Sequence, residues 1–390
     1  LECVAEAERV HSYVVSMRRT LHEHPELSFQ EFETAKRIEA ELRSMGLSPR
    51  RMAGTGVVAD IVGAQPGRTV AIRADIDGLP VQEENQVEYA SKNRGVMHAC
   101  GHDAHVAMLL GVAKILAEER ENIRGMVRVI FQPAEEQPPG GAQQLIKEGV
   151  LDGVDYIIGQ HVFSNIPSGK VAVYYGPLMA NSDKFIIRMH GRGGHGSAPH
   201  ETVDPIVAAS YYVTLAQTIV SRRVDPVKAA VVTFGTFNAG YRFNIIAAHA
   251  ELTGTVRTLD MDTRGLVRAE LKRLLEGVSS SMGVSYEFEY EEGYPVVVNN
   301  PDVAKVVEEA IVDILGRDAV LHPDPIMGGE DFGYYMQRVP GAFYFLGVGN
   351  PAKGITSPQH TPTYNVDEDA LKHGVAILCR ATERLLSSPS

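Results

Sequence analysis

The sequence predicts an α/β protein in which a large sheet domain is interrupted by a smaller inserted domain. Three observations carry this prediction. Apolar, strand-like runs alternate with amphipathic helical patterns through the first part of the chain, the arrangement of a sheet layered with helices. From about Ser182 the order changes to strand, helix, strand, strand, helix, strand, a βαββαβ ferredoxin-like unit able to form its own four-stranded sheet. After Pro295 the first alternation resumes, so residues 1–181 and 294–390 are assigned to one discontinuous domain and residues 182–293 to the insert. A chain of 390 residues suits two such domains.

The elements follow in order. Helices are expected over 4–22 and 29–46, broken at His24-Pro25-Glu26 because proline cannot continue a helix. Strands at 56–62 and 69–74 precede a helix for which Asp103 reads as the N-cap, with Val106, Leu109, Leu110, Ala113, Ile115 and Leu116 as its buried face. Cys100 and His102 then fall in the turn before that helix. A strand at 126–131, a helix at 141–148 and a strand at 156–159 complete the first segment. The insert supplies strands at 184–190, 229–237, 250–257 and 285–290, with helices at 205–222 and 263–282. Helices at 303–315 and 332–337, a strand at 342–347 and a helix from Asp367 close the chain.

Composition narrows the function. A formal net charge of -12 with no concentrated basic patch argues against nucleic acid or an anionic membrane as partner. Three cysteines are too few for a disulfide framework and point to a reducing compartment, the cytoplasm. No apolar run is long enough to span a bilayer, and Leu1-Glu2-Cys3-Val4 lacks the basic and apolar regions of a signal peptide.

The densest chemistry lies in Met97-His98-Ala99-Cys100-Gly101-His102-Asp103-Ala104-His105, one thiol and three imidazoles within nine residues. Thiolate and neutral imidazole are metal ligands, and such a density suggests a metal. At the end of the next strand, Pro133-Ala134-Glu135-Glu136 places two carboxylates side by side, either a ligand beside a general base or a solvated acidic loop. His161 ends the following strand. Asp75 and Asp77 finish an earlier one, where carboxylates commonly orient ligand imidazoles. His360 sits between Pro358 and Pro362, which fix its loop. In the insert, His195 is flanked by glycines that allow close approach of a substrate backbone.

Together these motifs resemble the M20 metallopeptidases, in particular the amidohydrolase and carboxypeptidase branch with its aminoacylases, hippurate hydrolases, auxin-conjugate hydrolases and archaeal thermostable carboxypeptidases. The resemblance runs along nearly the whole chain: 21–28, Arg73-Ala74-Asp75-Ile76-Asp77, the Cys100 cluster, 131–136, 193–200, Gly329-Glu330-Asp331-Phe332 and the His360 loop. It implies a zinc-peptidase-like α/β/α catalytic domain with an inserted lid and dimerisation domain, and a homodimer or homotetramer. It further implies two divalent metal ions per subunit, zinc first with manganese or cobalt as alternatives. Cys100 would bridge them, and His102, Glu136, His161 and His360 would complete the shells. Many relatives carry His at the position of Asp75 and Asp at that of Cys100; here His102 supplies the imidazole, so Asp75 is left out of the ligand set.

The resemblance also assigns roles in catalysis. Glu135 would be the general base and acid for a metal-bridging hydroxide, Asp77 an orienting carboxylate, and His195 a donor to the scissile carbonyl from across a dimer interface. Asn244 would contact substrate, and Asn244 or Arg257 could hold a free carboxylate. His98 and His105 are left to packing or hydrogen bonding. The implied reaction is hydrolysis of the amide of an N-acyl amino acid or of the C-terminal residue of a short peptide. The neighbouring possibilities are deacylation of acetylornithine or succinyl-diaminopimelate, and a non-catalytic metal-binding protein.

Overall fold

The structure, a computed structural model, describes residues 2–387, which form two units. One contains the chain up to Leu178, Val298–Pro325 and the chain from Asp331; the other contains Met179–Val297 and Ile326–Glu330. The expected insert, 182–293, lies within the second. Ile326–Glu330 joins that unit because Ile326 bridges Met179 and the Ala180 N–H donates to the Gly328 carbonyl (2.9 Å).

Helices α1 (Cys3–Glu23) and α2 (Phe32–Ser44) come first, followed by strands β1 (Arg50–Met52), β2 (Gly56–Val62) and β3 (Gln65–Asp75). Helix α3 (His102–Glu118) corrects the sequence reading at its start. Gly101, not Asp103, is the N-cap, with φ of 92°. A Cβ at Gly101 would lie 2.4 Å from Val162 Cγ2 and 2.7 Å from the Tyr364 hydroxyl, so only glycine fits there. Asp103 sits in the first turn instead, fully buried, where the Arg18 Nε–H donates to it at 2.8 Å and His22 Nδ1 lies 2.7 Å away. A buried guanidinium engages this carboxylate in place of the helix end, and His102 opens the helix rather than preceding it. Strand β4 (Arg124–Gln132), helix α4 (Ala142–Lys147) and strands β5 (Tyr156–Pro167), β6 (Val171–Ala172) and β7 (Gly176–Met179) complete the segment.

The second unit holds β8 (Asp183–His190), β9 (Gly194–His195), α5 (Pro205–Thr218), β10 (Ala230–Ala239), β11 (Ile245–Ile246), β12 (His249–Thr258), α6 (Met261–Met282) and β13 (Ser285–Glu291). Helix α5 is shorter than expected because the chain passes into a π-type turn at Ile219–Arg223. The main sheet is antiparallel, in the order β10-β12-β8-β13. Strand alternation explains its two faces. Phe185, Ile187, Met189 and Leu252 turn inward onto Tyr212 of α5 and Leu271 and Leu275 of α6, whereas Arg188 and Glu251 pair at 2.9 Å across the open face. The caps are local: Asp204 accepts from the Ile206 and Val207 amides, and Asp260 from that of Thr263.

Strand β14 (Val297–Asn299), helix α7 (Pro301–Leu315), strand β15 (Val320–Leu321), helix α8 (Gly333–Met336), strand β16 (Gly341–Gly349) and helix α9 (Leu371–Ser387) end the chain. The first unit's sheet runs β1-β2-β4-β3-β5-β16-β6-β15, and its centre, β4-β3-β5-β16, is parallel. On one face Tyr344 and Leu346 of β16 join a core with residues of α1, α3 and α9; on the other Phe343 packs on Phe332 with ring centroids 4.8 Å apart. Strand β5 runs well past its expected end. Its pairing with β3 stops at Gly159, but it continues beside β16, carrying His161 two residues past the last β3 pair and so level with Asp75, the final residue of β3.

Candidate metal centre

The site forms where the parallel strands end, the usual place for function in such a sheet. Strand β3 delivers Asp75 and, two residues on, Asp77; β4 delivers the turn to Glu135 and Glu136; β5 carries His161. Cys100 lies in the turn before α3, His102 is its first residue, and His360 lies in the loop after β16, where its amide donates to the Ala99 carbonyl at 2.8 Å. Cys100, His102, Glu135, Glu136, His161 and His360 are thereby brought together within the first unit.

Two donor groups share the thiol. Cys100, His102 and His161, all buried, form one; Cys100, Glu136 and His360 form the other, and in each the donor atoms lie within 4.8 Å of one another. The Cys100 Sγ is 3.4 Å from His161 Nε2, and His360 Nε2 is 3.3 Å from Glu136 Oε1. His102 Nε2 lies 3.9 Å from carboxylate oxygens of both Glu135 and Glu136.

Neighbouring groups fix the tautomers. His161 Nδ1 is 2.7 Å from the Val162 carbonyl, which can only accept, so Nδ1 carries the proton and Nε2 offers its lone pair toward Cys100. His102 Nδ1 likewise faces the Asp77 carbonyl (2.9 Å) and carboxylate (3.1 Å), leaving Nε2 buried without a hydrogen-bond partner. Asp77 is itself held by the Ser28 hydroxyl (2.6 Å) and the Glu136 amide (3.0 Å). The Val162 amide donates to His105 Nε2 at 2.9 Å, and His105 Nδ1 donates to Asp75 at 2.5 Å, so His105 braces the strand that carries His161.

The electrostatics fit cations. Burial and then Glu136, Glu135 and Asp75 hold the Cys100 thiol well above its ordinary pKa. Burial lowers the His102 pKa, but Asp75, Asp77 and Glu136 outweigh it and push the value up to about 10. Burial and the His105 ring keep His161 neutral, well below its ordinary range. A site that protonates a histidine this firmly while keeping a thiol uncharged lacks positive charge, and divalent cations at the two donor groups would supply it. The orphaned His102 Nε2 and the lone pair of His161 are the atoms such ions would take.

Sequence reasoning named Asp75 but missed the groups that hold it. Arg73 donates to Asp75 (2.7 Å) and Asp331 (2.9 Å), and Gln132 donates to Asp331 at 2.8 Å, all four buried. A charged residue inside an apolar strand, Arg73 in Ala71-Ile72-Arg73-Ala74, was the available signal. Ser28 and Glu31, in the loop between α1 and α2, carried none that periodicity could reveal.

Comparison with known proteins agrees with this architecture. Residues 71–384 match the model of peptidase family M20/M25/M40. This chain belongs to that family. It is a metal-dependent hydrolase of the M20 amidohydrolase and carboxypeptidase branch. It is 43% identical over 373 residues to thermostable carboxypeptidase 2 of Saccharolobus solfataricus, covering 95% of this chain and 94% of that one. It is 50% identical over 293 residues to the N-acyl-L-amino acid amidohydrolase of Geobacillus stearothermophilus, covering 75% and 79% of the two chains. Among solved M20 structures, a Bacillus subtilis dinuclear metal binding peptidase superposes with a TM-score of 0.87 at 37% identity, covering 98% of this chain and all of that one.

His195 and Asn244 lie in the second unit, side by side. Strand β9 pairs His195 with Ile245 of β11, and the Gly196 amide donates to the Asn244 carbonyl at 2.9 Å. The Ser197 amide (3.1 Å) and hydroxyl (2.7 Å) both point at His195 Nδ1; because an amide N–H can only donate, the ring proton resides on Nε2. Asn244 Oδ1 is buried without a partner. Arg257 donates to the Thr255 hydroxyl at 3.2 Å, and burial lowers its pKa.

Proposed function

We propose that this M20 enzyme hydrolyses N-acyl amino acids and the C-terminal residue of short peptides at a site of two divalent metal ions. The single observation that carries the reading is the pair of donor groups sharing Cys100, with Glu135 in neither of them but within reach of His102 and Glu136, which belong to one each. Cys100 would be common to both ions, with His102 and His161 completing one set and Glu136 and His360 the other. The mixed thiolate, imidazole and carboxylate set favours zinc, and manganese or cobalt can occupy the same donors. When bound, such ions polarise the scissile carbonyl and raise the acidity of water.

The chain's own groups do the rest. Glu135, nearly buried, accepts a proton from the attacking water and returns it to the departing amine, which leaves neutral. Asp77 keeps His102 in the tautomer that presents Nε2. His195 of a second copy, with its proton on Nε2, donates across the dimer interface to the carbonyl oxygen as negative charge develops there. Asn244 contacts substrate, and the half-buried Arg257 guanidinium, which has no ion pair among the described residues, is suited to a free carboxylate.

We assign the second unit to dimerisation and to covering substrate. Its strand β10 is an edge of the sheet, and Val207, Tyr211 and Leu215 form an exposed apolar stripe along α5, a surface suited to a second copy. No described helix is long and apolar enough to cross a membrane. Three buried, unpaired cysteines support a cytoplasmic enzyme.

The reading is tested by adding zinc, manganese or cobalt to metal-free protein and screening N-acetyl, N-benzoyl, indole-acyl and benzyloxycarbonyl amino acids against dipeptides. Metal-dependent release of the free amino acid is expected. Metal-loaded protein inert across the panel would overturn it.

A further inference from the structure

We propose that Glu31 is a positioning residue, whose buried carboxylate clamps the turn that aims Glu135 and Glu136. The turn needs a clamp. Ala134, immediately before the two acids, has φ of 54°, a left-handed conformation that a residue with a Cβ adopts only when something holds it there. The Ala134 amide donates to Glu31 Oε1 at 2.8 Å, and the Thr55 hydroxyl donates to Glu31 Oε2 at 2.6 Å. Glu31, Thr55 and Ala134 are all buried.

A purely local role does not explain Glu31. It occupies the N-cap of α2, where a carboxylate ordinarily accepts from the helix's own first amides, yet its side chain makes no capping bond. Glu26 takes that task, accepting from the Glu33 (3.2 Å) and Thr34 (2.8 Å) amides. Glu31 has no ion pair among the described residues, so its burial is offset by hydrogen bonds, chiefly those from Thr55 and Ala134. Burial and nearby Asp77 raise its pKa despite the bonds from Thr55 and Ala134. One oxygen thus ties the loop after α1 to the catalytic turn, and the other ties it to the start of β2. A misaimed carboxylate at the next residue would slow chemistry more than binding.

The inference rests on reading Glu135 as the proton carrier, and the experiment separates the two. Glu31→Ala, Glu31→Gln and Thr55→Val are made in the full-length metal-loaded enzyme. Each is measured for kcat and KM on an N-acetyl amino acid, metal content, and hydrogen exchange at the Ala134 amide. Glu31→Ala is expected to lower kcat by roughly 10²-fold, with little change in KM and both metals retained, and to expose Ala134 to exchange. Glu31→Gln is expected to recover most of kcat, because its amide oxygen can accept from Ala134 while its NH₂ donates to Thr55. Thr55→Val, which keeps the Ala134 contact, is expected to fall between wild type and Glu31→Ala. Unchanged kcat or unchanged Ala134 exchange in Glu31→Ala would overturn the clamp, as would a Gln variant as impaired as the Ala variant. If Glu135→Gln stays active while Ala134 exchange still rises in Glu31→Ala, the clamp stands and the base assignment alone falls.

Discussion

The two donor groups that meet at Cys100 are built differently. Cys100, His102 and His161 are buried, and both imidazoles are locked by backbone carbonyls and, at His102, by Asp77. Glu136 and His360 hang on loops; His360 has φ of 64° and its side chain is 55% exposed. His102 and His161 are held by a helix and a strand, whereas Glu136 and His360 lie in turns, and His360 itself adopts an unfavourable backbone. The comparison teaches that one thiol stands between a buried donor set and a partly exposed one, so the two metals of the proposed centre need not be held equally.

The largest effect is expected at the shared ligand. Cys100→Ala should abolish turnover and leave fewer than two metals per chain by elemental analysis; two retained metals would break the comparison at its root. Next, Glu135→Gln should lower kcat by about 10²–10⁴-fold while both metals stay bound, because Glu135 lies outside both groups. Graded chelation should come third: metal should leave the Glu136 and His360 group, where His360 is exposed, before the fully buried one, and His360→Ala should lose the more easily removed metal. Equal loss from both groups would show that burial does not set their difference.

The smallest effect tests the buried side from below. His22 Nε2 lies 3.0 Å from Glu83 Oε1, both side chains buried. Burial and Arg18 lower the His22 pKa, but Asp103 and Glu83 outweigh them and the net shift is upward from 6.5. Burial raises the Glu83 pKa, but His22 outweighs it and the net shift is downward from 4.5. The stability carried by His22 is therefore full below its ordinary pKa and declines as pH rises through the raised value. That carried by Glu83 is full above its ordinary pKa and declines as pH falls through the lowered one. Glu83→Gln should consequently destabilise by about 1–3 kcal/mol between pH ~4.5 and ~6.5 and by less above that window, measured by denaturant unfolding.

Much of this was legible in the sequence because periodicity and turn chemistry are local. The βαββαβ order of the second unit follows directly from its alternating strands and capped helices, and the α/β frame of the first from its apolar runs. Asp103 was misread for the opposite reason: its partner, Arg18, lies 85 residues away, and only the fold reveals that a guanidinium claims the carboxylate. The length of β5 depended on β16, nearly two hundred residues later, for the same reason. Cys100, His102, Glu136, His161 and His360, the residues proposed to hold the metals, could be picked out from motifs, whereas Glu31 and His105 make hydrogen bonds to distant backbone amides, which no spacing encodes.

The most direct test of a centre shared through Cys100 is calorimetric titration of zinc into metal-free wild type and His360→Ala. Two binding events of unequal affinity are expected for wild type, with the weaker one missing from His360→Ala. A single event in wild type, or two undiminished events in His360→Ala, would contradict the account.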